Sequence, residues 1–236
     1  PWELGVDLNK PFLPLDEHSL AFPGASAEQR LVLSQWLGLV INSAVSELEN
    51  AMPRLRDKVW SELLDECPVN PEFQDLGELF FLEEAKHSQA FDRFIHTFCA
   101  EVNVDPADVL PLLPRAFNSF FQSVMIRNAT SGGFAFWWLV ALVEDVSVTI
   151  YRQIYRNRKK IDPLFFELHR RHLEEEIRHD NYSFLMLKVI HDRNPRHWNG
   201  LRRKTDFLFA HLAGAPWVAS ELSKVCLLYT SDAADE

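Results

Sequence analysis

Four long stretches of the chain repeat apolar residues at three- and four-residue intervals, the spacing that places one stripe on one face of an α-helix. The first follows Ser26, with Gln29 completing a capping box, and is expected to run to about Asn50 before Pro53 interrupts it. The second opens at Asn70 with Pro71 in the first helical position and extends to about Cys99. The third follows Gly132 and Gly133 and ends near Arg156; the fourth opens at Asp162 with Pro163 and ends near His191. Shorter helical pieces are expected at 54–65, 106–125 and 198–222, separated by proline-rich turns such as "PLLPR". No alternating strand pattern and no repeat of fixed period stands out. The expected fold is therefore all-α, a four-helix core with accessory helices.

The apolar stripes contain ionisable residues where a core should be dry. At about 100° per residue, His172, Glu176 and His179 share the fourth stripe with Phe165, Ser183, Leu187 and Ile190. Glu174 and Glu175 are expected to point elsewhere. On the second helix Glu84 is centred among Phe73, Phe80, Phe91, Ile95 and Phe98, with His87 one turn on and Glu83 turned away. Glu144 shares the third stripe with Trp137, Val140, Val148 and Tyr151. The first helix offers two candidates. Glu47 falls on the face of Leu33, Trp36, Val40 and Ala44 and is preferred; Glu49, on the side of Gln35 and Asn42, is the alternative because register can drift near Pro53.

Any one of these residues alone is more often an ordinary buried histidine or a solvated glutamate. Together they are hard to explain without a counter-charge. Burying an ion costs several kcal/mol, whereas a whole domain is stable by only about 5 to 15 kcal/mol. No lysine or arginine lies on the four stripes. Two divalent cations would balance four carboxylates and require the histidines to be neutral. The spacing supports this, because Glu-x-x-His on a bundle helix lets both side chains reach one metal. A mixed oxygen and nitrogen set suits iron or manganese better than structural zinc.

Composition narrows the classes further. The 236 residues suffice for one large domain, expected over 1–224, and the net charge of −10 with no basic stripe argues against a nucleic-acid partner. Cys67, Cys99 and Cys226 show no metal-ligand spacing and suggest reduced thiols, so a cytoplasmic location is expected. The apolar run at 134–143 is too short to span a bilayer, and no membrane partner is expected. The last residues, 225–236, read as translated adapter sequence and are set aside from the fold.

The order Glu, Glu-x-x-His, Glu, His-x3-Glu-x2-His resembles that of the AurF-like p-aminobenzoate N-oxygenases, over roughly residues 30 to 190. The resemblance implies a ferritin-like bundle with two iron ions, manganese being the alternative metal, held by Glu47 (or Glu49), Glu84, His87, Glu144, His172, Glu176 and His179. It further implies a non-haem di-iron oxygenase that takes up O2, receives electrons from an external reductase or ferredoxin, and oxidises a small amine, typically an aromatic one. A homodimer is expected on the same ground. Phe80, Phe91, Trp137 and Tyr151 are candidate walls that core packing explains equally well, and His169, Asp145 and Asp180 are candidates to orient the ligands. Two other readings use similar motifs. Haem-oxygenase-like di-iron oxidases usually carry Asp where Glu176 stands, and ferritin-like ferroxidases lack the His-x3-Glu element.

Overall fold

Side-chain caps start three of the four long helices. Ser26 accepts a hydrogen bond from the Gln29 amide while its own amide donates to the Gln29 side chain, and α1 (Ala27–Arg56) follows. A short helix, α2 (Glu62–Glu66), comes next; Asn70 then caps α3 (Pro71–Glu101) through the Phe73 amide. Asp105 caps the single turn α4 (Pro106–Val109). α5 spans Phe134–Arg156, and Asp162 caps α6 (Pro163–Arg193) through the Phe165 amide. The computed structural model describes residues 1–14, 24–66, 69–113 and 134–193, and among these no strand occurs. The expected helix at 198–222, most of the one at 106–125 and the set-aside tail lie outside the described residues.

One boundary differs from expectation. The first helix passes through Pro53 to Arg56, and a π-helical turn at Asp57–Ser61 carries the chain into α2. Proline removes the hydrogen bond to the carbonyl four residues back, here Glu49, and its ring crowds that carbonyl. Burial of Ala51, Met52, Leu55, Val59 and Trp60 on both sides of it outweighs that loss. From Ala27 to Asp65 the chain is long and apolar enough, by length and composition, to cross a membrane. Its buried residues include Gln35, Asn42, Ser46 and Glu49, the inventory of a bundle-core helix.

α1 packs along α3 and α5 along α6, and the two hairpins meet where α3 lies against α6. The result is the expected all-α four-helix bundle. Its apolar core is divided. One cluster gathers Met52, Trp60, Phe80, Phe81, Trp137, Tyr182 and Met186; the other gathers Phe12, Leu39, Phe91, Phe94, Phe165 and Leu168. On every long helix the candidate ligands fall between a residue of one cluster and a residue of the other, so the polar layer sits mid-bundle with apolar packing above and below.

Two close approaches tighten this frame. The N-terminal segment straps across the bundle, with Phe12 fully buried and stacked on Phe165 at a ring separation of 5.1 Å. Backbone bonds from Asp7 to Asp162, and between Leu13 and Ser34 in both directions, hold the strap. Gly77, in the second turn of α3, faces Trp60 and Tyr182, whose side chains are joined by a 2.6 Å hydrogen bond from the indole to the phenol oxygen. A Cβ at residue 77 would stand 2.3 Å from the phenol oxygen and 2.5 Å from the indole ring.

Candidate metal centre

The polar layer is built from all four long helices. Glu49 comes from α1, Glu84 and His87 from α3, Glu144 from α5, and His172, Glu176 and His179 from α6; all are buried. Glu176 is the hub. Its Oε1 lies 2.9 Å from His172 Nε2, 3.1 Å from His87 Nδ1 and 3.4 Å from His179 Nδ1, and Glu144 hydrogen-bonds to the same carboxyl. His172 Nε2 is also 2.7 Å from Glu49 Oε1, and His179 Nδ1 is 2.8 Å from Glu84 Oε1.

These atoms form two groups, each with ligand atoms within 4.8 Å of one another: Glu49, His87, His172 and Glu176, and Glu84, His87, Glu176 and His179. His87 and Glu176 belong to both. Two overlapping sets that share a carboxylate are what a pair of adjacent metal ions would need.

An observation on the same atoms tests the fit. Glu49 Oε2, both oxygens of Glu84, Glu176 Oε1, His87 Nδ1 and His179 Nδ1 are buried, yet none makes a hydrogen bond of proper geometry. Leaving a buried polar atom unsatisfied costs about 1–3 kcal/mol, so six in one cluster call for another partner. Lone pairs of carboxylate and imidazole converging at that spacing suit a metal ion. Cations do not fill the role: among the described residues Arg178 and Lys86 bind only the outer glutamates, Glu83 and Glu175.

The proton affinities carry the same tension. Burial pushes Glu49 and Glu84 up to about 7 and Glu144 well above the usual carboxylate range. Burial also opposes charge on His172 and His179, but Glu176 with Glu49 holds the first well above its ordinary value, and Glu176 with Glu84 holds the second at about 10. Glu176 itself, despite its burial, is kept well below the carboxylate range by His172, Glu144 and His179. Without another cation, protons shared among the imidazoles and carboxyls must supply the positive charge.

Six of the seven expected residues therefore meet at this layer; the seventh assignment needs correction. Glu47 is half-buried and belongs to neither group, and Glu49 takes the place expected for it. The inward face of α1 mixes polar and apolar residues: Gln35, Asn42, Ser46 and Glu49 are buried beside Leu39, Leu48 and Met52, while Trp36 and Ala44 are only half so. Ser46 bonds Asp92 across to α3, Asn42 accepts from His169, and Gln35 donates to the carbonyls of Leu8 and Lys10. An apolar stripe is a poor guide to a face whose neighbours are polar.

Two further residues were misjudged from the sequence. Glu83 and Glu175, expected to turn away, accept from His179 Nε2 at 3.1 Å and His87 Nε2 at 2.6 Å. They point off the inward face of their own helix but into the seam where α3 meets α6. Asp145 is exposed and Asp180 half-buried, and it is these two glutamates that bond the histidines. His169, buried between Phe91 and Phe165, bonds Asn42 at 3.0 Å, and burial followed by the nearby His172 depresses it to about 3. Of the candidate walls, Phe80 lies 4.7 Å from the His179 ring and Phe91 4.9 Å from His172. Trp137 packs behind Phe80, and Tyr151 stacks outward on Phe166.

The fold and site thus define a helical bundle with a buried carboxylate and imidazole core able to bind metal. A family model described as P-aminobenzoate N-oxygenase AurF matches residues 3–221, and the chain belongs to that family of oxygenases. No curated protein and no solved structure matches it.

Proposed function

We propose that the protein binds two iron ions between the hairpins and uses O2 to oxygenate the nitrogen of an arylamine. The observation that carries this reading is the pair of four-residue groups sharing His87 and Glu176, together with the unpartnered lone pairs that face inward from them. Glu49, His172 and Glu176 would hold one ion, and Glu84, Glu176 and His179 the other, with His87 serving one of the two through Nδ1 and Glu144 completing the layer.

Bound iron would supply O2 activation; the chain supplies placement, charge balance and dryness. Four carboxylates neutralise two divalent ions, and the histidines bind in their neutral form. Phe80 packs on His179 at one end of the layer and Phe91 on His172 at the other. A cavity of about 270 Å³ reaches His87 and His172 from the surface between walls formed by Trp2, Ala90, Phe91 and Leu168. Its apolar sides suit an aromatic ring and make it the approach for substrate. Converting N–H to N–OH places one atom of O2 on nitrogen and sends the other to water, with two protons and two electrons, the latter from an external donor.

The test begins with anaerobic Fe(II) titration of the full chain, followed by addition of a chemical reductant, an arylamine such as p-aminobenzoate and ¹⁸O2. Two irons per chain and labelled hydroxylamine or nitro product support the proposal. Iron that passes on to a growing ferric mineral would establish iron handling instead. Two irons with labelled oxygen on carbon would keep the metal centre and replace the reaction.

A further inference from the structure

The chain contains one five-residue pattern twice, "EEAKH" at 83–87 and "EEIRH" at 175–179. In each copy the second glutamate and the histidine belong to the metal groups described above, which leaves the first glutamate and the cation without a role. The fold crosses the two copies over. Glu83 on α3 accepts from His179 at 3.1 Å and from Arg178 at 2.6 Å, both on α6. Glu175 on α6 accepts from His87 at 2.6 Å and is paired with Lys86, both on α3. Each helix's spare glutamate therefore grips the other helix's histidine, and the cation beside that histidine grips the same glutamate.

The geometry points to Glu83 with Arg178, and Glu175 with Lys86, as two reciprocal brackets that position the histidines of the metal groups; the inference rests on the two-metal reading. A carboxylate that accepts the Nε2–H proton fixes the tautomer in which the lone pair is on Nδ1. In both bracketed histidines Nδ1 is the atom turned inward, 3.1 Å from Glu176 in His87 and 2.8 Å from Glu84 in His179. His172 instead turns Nε2 inward, 2.7 Å from Glu49. Because each bracket joins α3 to α6, it also sets the spacing of the two helices that carry five of the ligand candidates.

Each bracketed histidine has one free lone pair, on Nδ1, and so can serve one ion. Glu175 accordingly supports the metal position that His87 joins, and Glu83 the position that His179 and Glu84 join. Both cations are near the surface, with about half of each side chain exposed, at 56% for Lys86 and 48% for Arg178. They hold the glutamates from outside without entering the buried layer.

The test is anaerobic equilibrium dialysis of the full chain against Fe(II), with far-UV circular dichroism as the check on folding. The wild type is expected to bind two ions. Glu175→Ala and Glu83→Ala should each weaken one binding step, the one its histidine serves, by roughly 10- to 100-fold. Glu175→Gln, whose amide oxygen still accepts from His87, should recover most of the loss. Two ions bound by both alanine variants with wild-type affinity would overturn the inference, as would equal losses at both steps in each. Should the alanine variants fail to fold, Lys86→Met and Arg178→Met must show the same losses in milder form, and their absence overturns the inference too. A wild type that takes up no iron would instead remove the metal reading and the brackets together.

Discussion

Glu176 Oε1 lies 3.1 Å from His87 Nδ1, joining α6 to α3 through the two residues that both ligand groups share. Replacing Glu176 by Ala should therefore cost both metal ions. Iron counted after anaerobic dialysis is expected to fall from two to none per chain, and retention of even one tightly held ion would mean that the groups do not share this carboxylate. The helical signature should persist, since apolar clusters on either side of the layer hold the bundle.

Glu49 and Glu47 are two residues apart and separate cleanly by experiment. Glu49→Ala is expected to weaken one iron step by at least about 10-fold, because it deletes a member of one group and leaves the other four residues in place. Glu47→Ala should leave both steps near wild type. The reverse pattern in the same dialysis would restore the assignment drawn from the apolar stripe.

Protein stripped of metal by a chelator should lose thermal stability as pH rises from about 7 to 10. The sign follows from linkage: the folded state holds Glu49 and Glu84 protonated up to about 7 and His179 up to about 10, above their ordinary values of 4.5 and 6.5. Across that window the folded chain binds more protons than the unfolded one, so stability falls. His169, depressed to about 3, and Glu176, held low, act in the opposite sense but below about pH 7, where their unfolded forms take up protons. Metal-loaded protein should not show this decline, because the ions displace the same protons; calorimetric loading at pH 7.5 in buffers of different ionisation heat should register proton release. A melting temperature of the stripped protein that climbs through this window would contradict the assignment.

Gly77→Ala tests the seam from the packing side. In an exposed helix this change stabilises by about 1 kcal/mol. Here the added methyl meets the Trp60 ring and the Tyr182 hydroxyl, so a loss of roughly 1–3 kcal/mol is expected from denaturant unfolding. A gain would show that Trp60 and Tyr182 can withdraw freely.

What the sequence by itself determined is the class of fold and most of the buried ionisable layer. Caps at Ser26, Asn70 and Asp162 are local chemistry and act within one turn, so the helix starts could be read directly. Glu84, Glu144, Glu176 and the histidines stood out because a lone ionisable group on an apolar stripe is anomalous whatever the partner helix is. Tertiary structure decided the remainder. The helix continued through Pro53 because packing of Met52, Leu55 and Trp60 outweighs one lost hydrogen bond. Glu49 and not Glu47 joins the buried groups because the inward face of α1 mixes polar and apolar residues, so hydrophobicity alone cannot mark it. Glu83 and Glu175 were invisible because they serve histidines on another helix, and one helix's periodicity carries no information about which neighbour fills the seam beside it.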